Sequence, residues 1–148
     1  MEKFLQRILI VLVFGLIALI GLSTRAAAEG ALAIGTTGNI VADGVAIGGS
    51  VNNPSRGDAI AGALETCRSQ PDVQKAAEHC RIVRMFTGKC YAAAFDPKSG
   101  TPGFGWGLGP DVAVAKRQAM SHCRASAGKD RAQFCQIQEN ITACDRHN

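Results

Sequence analysis

Two periodicities organise the chain beyond residue 28. From Arg56 to Arg68 and from Val112 to Ala125, small apolar residues recur at i and i+4: Ala59, Ala63, Leu64 and Cys67 in the first segment, Ala115, Ala119, Met120 and Cys123 in the second. This spacing predicts two amphipathic helices. Ser55 and Asp111 stand just before them as N-caps, each able to accept a hydrogen bond from the free amides of a first helical turn. Upstream of each helix the period falls to two. Gly103-Phe104-Gly105-Trp106-Gly107-Leu108-Gly109 alternates glycine with large apolar residues, and Gly44-Val45-Ala46-Ile47-Gly48 does so more mildly. In a strand such alternation sends the two classes to opposite faces. A strand face of nearly bare backbone marks the close approach of another element, and the alanine-lined helices supply one, so helices pressed onto sheet are expected.

Further strands complete the pattern. Leu32 to Ile34 and Cys90 to Phe95 each lead through a glycine-containing turn into the alternating strand. Each helix is followed by a polar link, the first with Pro71-Asp72 opening a short turn of helix. Cys80 to Phe86 and Cys135 to Ile141 then read as strands, with Ile82 aligned on Ile137 and Phe86 on Ile141 along one face. The order in each half is β-β-α-β.

The cysteines tie the halves together. Cys123 follows Cys67 by 56 residues, Cys135 follows Cys80 by 55, and Cys144 follows Cys90 by 54. Ser55 and Asp111 share the offset of 56. The expected fold class is therefore α+β: two pseudo-repeats, about 30–90 and 91–144, with helices packed on an antiparallel-type sheet and stabilised by disulfides. A copy of about 55 residues is too small to build a core alone, so the two are expected to share one within a single domain, 29–148. If the copies are equivalent, Cys67 bridges Cys80 as Cys123 bridges Cys135, and Cys90 pairs with Cys144 between copies. Each local bridge contributes up to about 3 kcal/mol in the chain-entropy model, and the longer one somewhat more.

The remaining sequence sets the compartment. Residues Ile8 to Leu22 form an unbroken apolar run of 15, preceded by Lys3 and Arg7 and followed by Ser23-Thr24-Arg25-Ala26-Ala27-Ala28. This is the layout of a cleavable signal peptide, residues 1–28, with cleavage after Ala28. The rival reading is an uncleaved membrane anchor, but such a helix is about 22 Å long against a hydrocarbon core of about 30 Å. The 148-residue chain has a formal charge of +4; without the leader, 13 Lys+Arg stand against 11 Asp+Glu. The basic residues are scattered, which argues against nucleic acid as a partner, and the membrane is met only through the leader during export. An exported chain with six cysteines defaults to disulfides. His79-Cys80 and His122-Cys123 suggest zinc, but there is no Cys-x2-Cys knuckle, so no metal is expected.

These residues resemble a family of small exported bacterial proteins, the domain of unknown function 4189. The resemblance rests on Gly30-Ala-Leu-Ala-Ile-Gly35, the helix patterns ending in Cys67 and Cys123, Cys80-Arg-Ile-Val, Cys90-Tyr-Ala-Ala-Ala and Gly105-Trp106-Gly107. It implies a secreted or periplasmic, disulfide-containing α+β domain, with no catalytic residues to carry over.

Catalytic chemistry finds no setting in the sequence. There is no Gly-x-Ser-x-Gly elbow; His79 and His122 adjoin cysteines, and His147 is penultimate. There is no Cys-x-x-Cys redox pair, no phosphate-binding Lys-Ser/Thr after the glycines and no dinucleotide fingerprint, so no cofactor is expected. Trp106, Phe104 and Tyr91 are the candidates for a binding surface, weighed against filling the core. The expectation is an exported binding protein for an envelope or extracellular macromolecule, an inhibitor or immunity protein being a specific form. The alternative is a secreted hydrolase that uses scattered carboxylates on cell-wall or host glycans.

Overall fold

The computed structural model describes residues 29–145; the leader, its cleavage point after Ala28, and His147 lie outside them. The elements run β1 (Glu29–Gly35), α1 (Ile40–Asp43), β2 (Ala46–Asn53), α2 (Arg56–Arg68), a 3-10 turn (Pro71–Val73), α3 (Gln74–Ala77), β3 (Arg81–Phe86), β4 (Cys90–Phe95), β5 (Phe104–Gly109), α4 (Val112–Ala127), a second 3-10 turn (Ala132–Phe134) and β6 (Gln136–Cys144). Ser55 accepts from the Asp58 amide and Asp111 from the Val114 amide, so both helix starts are capped as the sequence predicts. The short α1, capped by Asn39, is an element that the periodicity does not reveal.

The strands form two antiparallel three-stranded sheets, ordered β2-β1-β3 and β5-β4-β6, rather than one. Each half thus places its first strand centrally. Helix α2 lies on the outer face of the first sheet over Ala31, Ala33 and Ala46, and α4 lies on the second over Ala92 and Ala94. The inner faces meet in a shared apolar layer that includes Leu32, Ile47, Phe86, Tyr91 and Ala93. The order of layers is helix, sheet, sheet, helix. Leu32 and Ile47 are sealed in the middle layer, each contributing about 1.5 to 3 kcal/mol by burial.

Glycine fixes the helix-to-sheet distance. A β-carbon at Gly105 would stand 2.3 Å from the Ala119 carbonyl oxygen and the Cys123 nitrogen; one at Gly48 would stand 2.3 Å from Ala63 O and Cys67 N. The helix backbone therefore rests directly on strand backbone, while the alternate residues Phe104, Trp106 and Leu108 turn to the inter-sheet layer.

Three disulfides secure the layers. Cys67–Cys80 and Cys123–Cys135 tie each helix to the approach of the last strand in its half, both with Cα atoms 6.1 Å apart. Cys90–Cys144 joins directly opposed residues of β4 and β6, Cα atoms 3.9 Å apart. It therefore lies within the second sheet and does not link the two copies. Cys90 opens β4 instead of closing the first half, which makes it the ladder partner of Cys144 and not its counterpart.

The alignment of Ile82 and Phe86 on one face is also corrected. Arg84 pairs with Leu32 but Ile82 with Ala33, so Val83 is an extra residue in the ladder. Such a bulge inverts the alternation. Ile82 consequently packs on the helix side and Phe86 in the inter-sheet layer. In β6 the shift is larger: Thr142 faces Ala92 and Gln138 faces Ala93, leaving Glu139, Asn140 and Ile141 bulged, and the Thr142 hydroxyl donates to the Gln138 carbonyl. Ile137 stays on the helix side and Ile141 joins the inter-sheet layer.

Asp145 locks the two sheets at one end. Only 3% exposed, its carboxylate accepts from the Asn52 amide at 2.9 Å and the Gly88 amide at 2.8 Å. Removing it deletes two charge-assisted hydrogen bonds that join the sheets, so Asp145→Ala is expected to cost about 2 to 3 kcal/mol, read from the midpoint of urea unfolding.

Candidate functional site

The free edges of the sheets are treated differently in the two halves, and the difference defines the candidate site. Alternate residues of an edge strand turn their N–H and C=O groups away from the sheet. On β5 these groups meet a stripe of α4 side chains at i, i+4 and i+8. Gln118 accepts from the Leu108 amide at 3.2 Å, the protonated Nδ1 of His122 donates to the Trp106 carbonyl at 2.7 Å, and Ser126 accepts from the Phe104 amide at 2.9 Å. The Ser126 hydroxyl also donates back to the Phe104 carbonyl. His122 is thus a clasp on an edge strand. The clasp touches each outward-facing residue of β5: both main-chain groups of Phe104, the carbonyl of Trp106 and the amide of Leu108.

On β2 the corresponding positions are Gly62 and Thr66 of α2 and Gln70 just beyond its end, each 56 residues before Gln118, His122 and Ser126. Gln70 reproduces the Ser126 clasp: its side-chain amide accepts from the Ile47 amide and donates to the Ile47 carbonyl. Thr66 turns back to the Gly62 carbonyl of its own helix at 2.9 Å, and Gly62 has no side chain to offer. Because the N–H and C=O of Ile47 point away from β1, those of Gly49, two residues on, do too. No side chain among the described residues clasps Gly49.

A groove of about 480 Å³ opens at this edge. Ile47 and Gly49 form one wall with Thr66, Ser69 and Gln70, while Asn140 and Ile141 of the β6 bulge form the other. Tyr91 lies beneath. Its ring covers Gly49, where a β-carbon would come within 2.2 Å of Cζ, and packs 6.0 Å from Phe86. Burial pushes the Tyr91 phenol above its usual range. Asp72, exposed at the rim, is the one carboxylate in the lining.

The three aromatic candidates therefore do not form a surface patch. Tyr91 is 6% exposed and lines the groove from below. Phe104 packs on Phe95 at 5.0 Å, and Trp106 is half-buried against the inter-sheet layer. The covering of both inner strand faces by the opposite sheet accounts for all three. Gly49, Thr66 and Gln70 did not stand out in the sequence, and neither Asp72 nor Asn140 stood out as a groove residue. The signal that could have found them is the helix stripe of Gln118, His122 and Ser126 set against its partners 56 residues earlier.

A second cleft, about 340 Å³, lies between the α1 segment and the β4–β5 connection, and is lined by Asp43, Asp72 and Asp96. Two of these carboxylates are engaged. Asp43 accepts from Thr37 and Lys75, which hold its carboxyl below the usual range. Asp96 receives both the Nε and Nη2 donors of Arg131, at 2.7 and 2.6 Å, and its pKa falls from 3.8 to about 2, chiefly through that hydrogen-bonded pairing. Arg131 also stacks 4.2 Å over the Phe134 ring. No group of three or more His, Cys, Asp or Glu among the described residues is placed to hold a metal ion.

Asp96 sets an acid limb. Its folded pKa is depressed, so its contribution to stability is complete above the unfolded carboxylate range and is lost as pH falls toward about 2. Thermal melting of Asp96→Asn is therefore expected to lose part of the wild-type dependence on pH between about 4 and 2, and to show a lower melting temperature than wild type at neutral pH.

Taken together, the described residues define a small disulfide-tied α+β protein in which two helix-backed antiparallel sheets share an inner layer. A family model described as a domain of unknown function (DUF4189) matches residues 30–144, and the chain belongs to that family. No curated protein and no solved structure matches the chain. No helix among the described residues is long and apolar enough to cross a membrane, and the three disulfides are consistent with an oxidising compartment.

Proposed function

We propose that the protein is an exported binding protein, delivered by residues 1–28 as a cleaved signal peptide, whose bridged scaffold presents the groove at the β2 edge to an envelope or extracellular macromolecule. An inhibitor or immunity protein is the specific form of this role. The observation that carries the reading is the unequal treatment of the two edges: α4 clasps each outward-facing residue of β5, whereas β2 is left open at Gly49 beside a groove. Exposed edges invite unwanted pairing, and proteins ordinarily cover them. The hydrolase alternative draws less support, because glycan cleavage needs a carboxyl whose pKa is raised to act as general acid. Asp43 and Asp96, which share the second cleft, are both held below the usual carboxylate range by their hydrogen-bonding partners, the opposite of what a general acid needs.

The test is affinity capture from envelope extract with the oxidised protein, using a reduced and alkylated control. A photocrosslinker replaces Thr66 at the groove in one bait and Arg117 on α4 in another. Capture that needs the disulfides and crosslinks through position 66 is the expected result. Consumption of glycan without a captured macromolecule would replace the binding reading with the enzymatic one.

A further inference from the structure

The binding groove, if that reading of it holds, also indicates the chemistry of its occupant. Four strands border the sheets, and all carry some protection, that of β2 being the Gln70 clasp at Ile47 and a bulge between Ser50 and Asn53, with Gly49 left between them. β5 is clasped by Gln118, His122 and Ser126. β3 has the bulge at Val83 and the exposed charges of Arg81 and Arg84. β6 is interrupted by its three-residue bulge, where Glu139 is tied to Lys116 of α4 with both oxygens 2.7 Å from Nζ. Bulges and charges of this kind prevent further strand pairing.

On β2 the single clasp is a primary amide. The Gln70 side chain donates and accepts at Ile47, the pair of bonds that a peptide unit on a neighbouring strand would make. Two residues further on, Gly49 offers another outward N–H and C=O pair. The Tyr91 hydroxyl has no protein partner among the described residues and is not sealed from the groove. Asp72 places one negative charge at the rim, without a cation in the lining.

We propose that the groove takes an extended peptide segment of a partner protein as an added strand on β2. The segment displaces the Gln70 amide, pairs with Ile47 and Gly49, and sets a Lys or Arg against Asp72. Main-chain bonds supply affinity in such strand addition, and alternate side chains supply selectivity. Here one set of side chains meets Tyr91 and Asn140 while the other meets Thr66 and Ser69. A glycan or lipid has no run of alternating donors and acceptors at strand spacing to match this edge.

Displayed random peptides of about 10 residues, the length of a long strand, are selected on the oxidised full-length protein. Enriched sequences are expected to carry Lys or Arg, and N-methylation of their backbone is expected to abolish binding at every second residue. Thr66→His, which supplies the His122 clasp to Gly49, is expected to weaken binding about tenfold or more, and Gln70→Ala to strengthen it several-fold. Asp72→Asn should weaken the basic peptides and flatten their salt dependence. His122→Thr, on the other edge, should leave affinity unchanged. Unaltered melting of Thr66→His shows that its effect is not unfolding.

Failure to enrich any peptide, the absence of a two-residue period, or full affinity in Thr66→His would each overturn the inference. If capture through position 66 persists in that case, the groove remains a binding site and its occupant is not a strand. If that capture fails as well, the binding reading falls with it.

Discussion

Gly105→Val is expected to destabilise the native fold severely, with loss of at least about 3 kcal/mol of a total near 5 to 15. The first atom of the new side chain would lie 2.3 Å from Ala119 O and Cys123 N, which are helix backbone and cannot rotate aside. To admit it, α4 would have to rise from the sheet, drawing Ala115, Ala119 and Cys123 out of their buried contacts and pulling the Ser126, His122 and Gln118 clasps from β5. Circular dichroism and urea unfolding should both report the loss. Gly57→Ala makes the control, since its β-carbon meets only Ser55 Oγ at 3.6 Å. Alanine is the better helix former, so that variant should gain about 0.5 kcal/mol.

The double variant Cys90→Ala/Cys144→Ala is expected to lose about 4 kcal/mol, more than removal of either local bridge at about 3. The reason is loop length: Cys90–Cys144 closes a separation of 54 residues, against 13 and 12 for the other two. The first sheet shows what the position looks like without a bridge, since there the Thr87 hydroxyl reaches the Glu29 carboxylate at 3.3 Å. An exposed hydrogen bond of that kind contributes far less than a covalent closure. Denaturant midpoints of the three double-alanine variants, measured under oxidising conditions, rank the bridges directly. Equal losses in all three would contradict the dominance of loop length.

The helix positions were legible because capping and packing are local. Ser55 and Asp111 are read from side-chain chemistry, and the Ala59-Ala63-Cys67 stripe from a period that only a helix converts into one face. The glycine alternation foretold contact between helix and strand for the same reason, since missing β-carbons are visible in sequence. The division into two sheets was not legible, because period two marks a strand's faces without stating what covers each. A second sheet covering Phe104 and Trp106 cannot be told from ligand or solvent on that pattern alone. The bulges at Val83 and at Glu139 to Ile141 also defeated the face assignments, since each changes alternation through long-range pairing with β1 or β4. The groove was harder still. Its distinguishing feature is a main-chain group left without the clasp that its counterpart receives, and main-chain groups have no letter in the sequence.

The central claim, an edge open on β2 and closed on β5, is tested most directly by amide hydrogen exchange in the oxidised protein. The Phe104 and Leu108 amides, held by Ser126 and Gln118, should be protected. The Ile47 amide, held by the displaceable Gln70 side chain, should be intermediate. The Gly49 amide should exchange about a hundredfold faster than those of Phe104 and Leu108 after correction for intrinsic rates. Protection at Gly49 equal to that at Phe104 and Leu108 would show that the β2 edge is closed and would contradict the account.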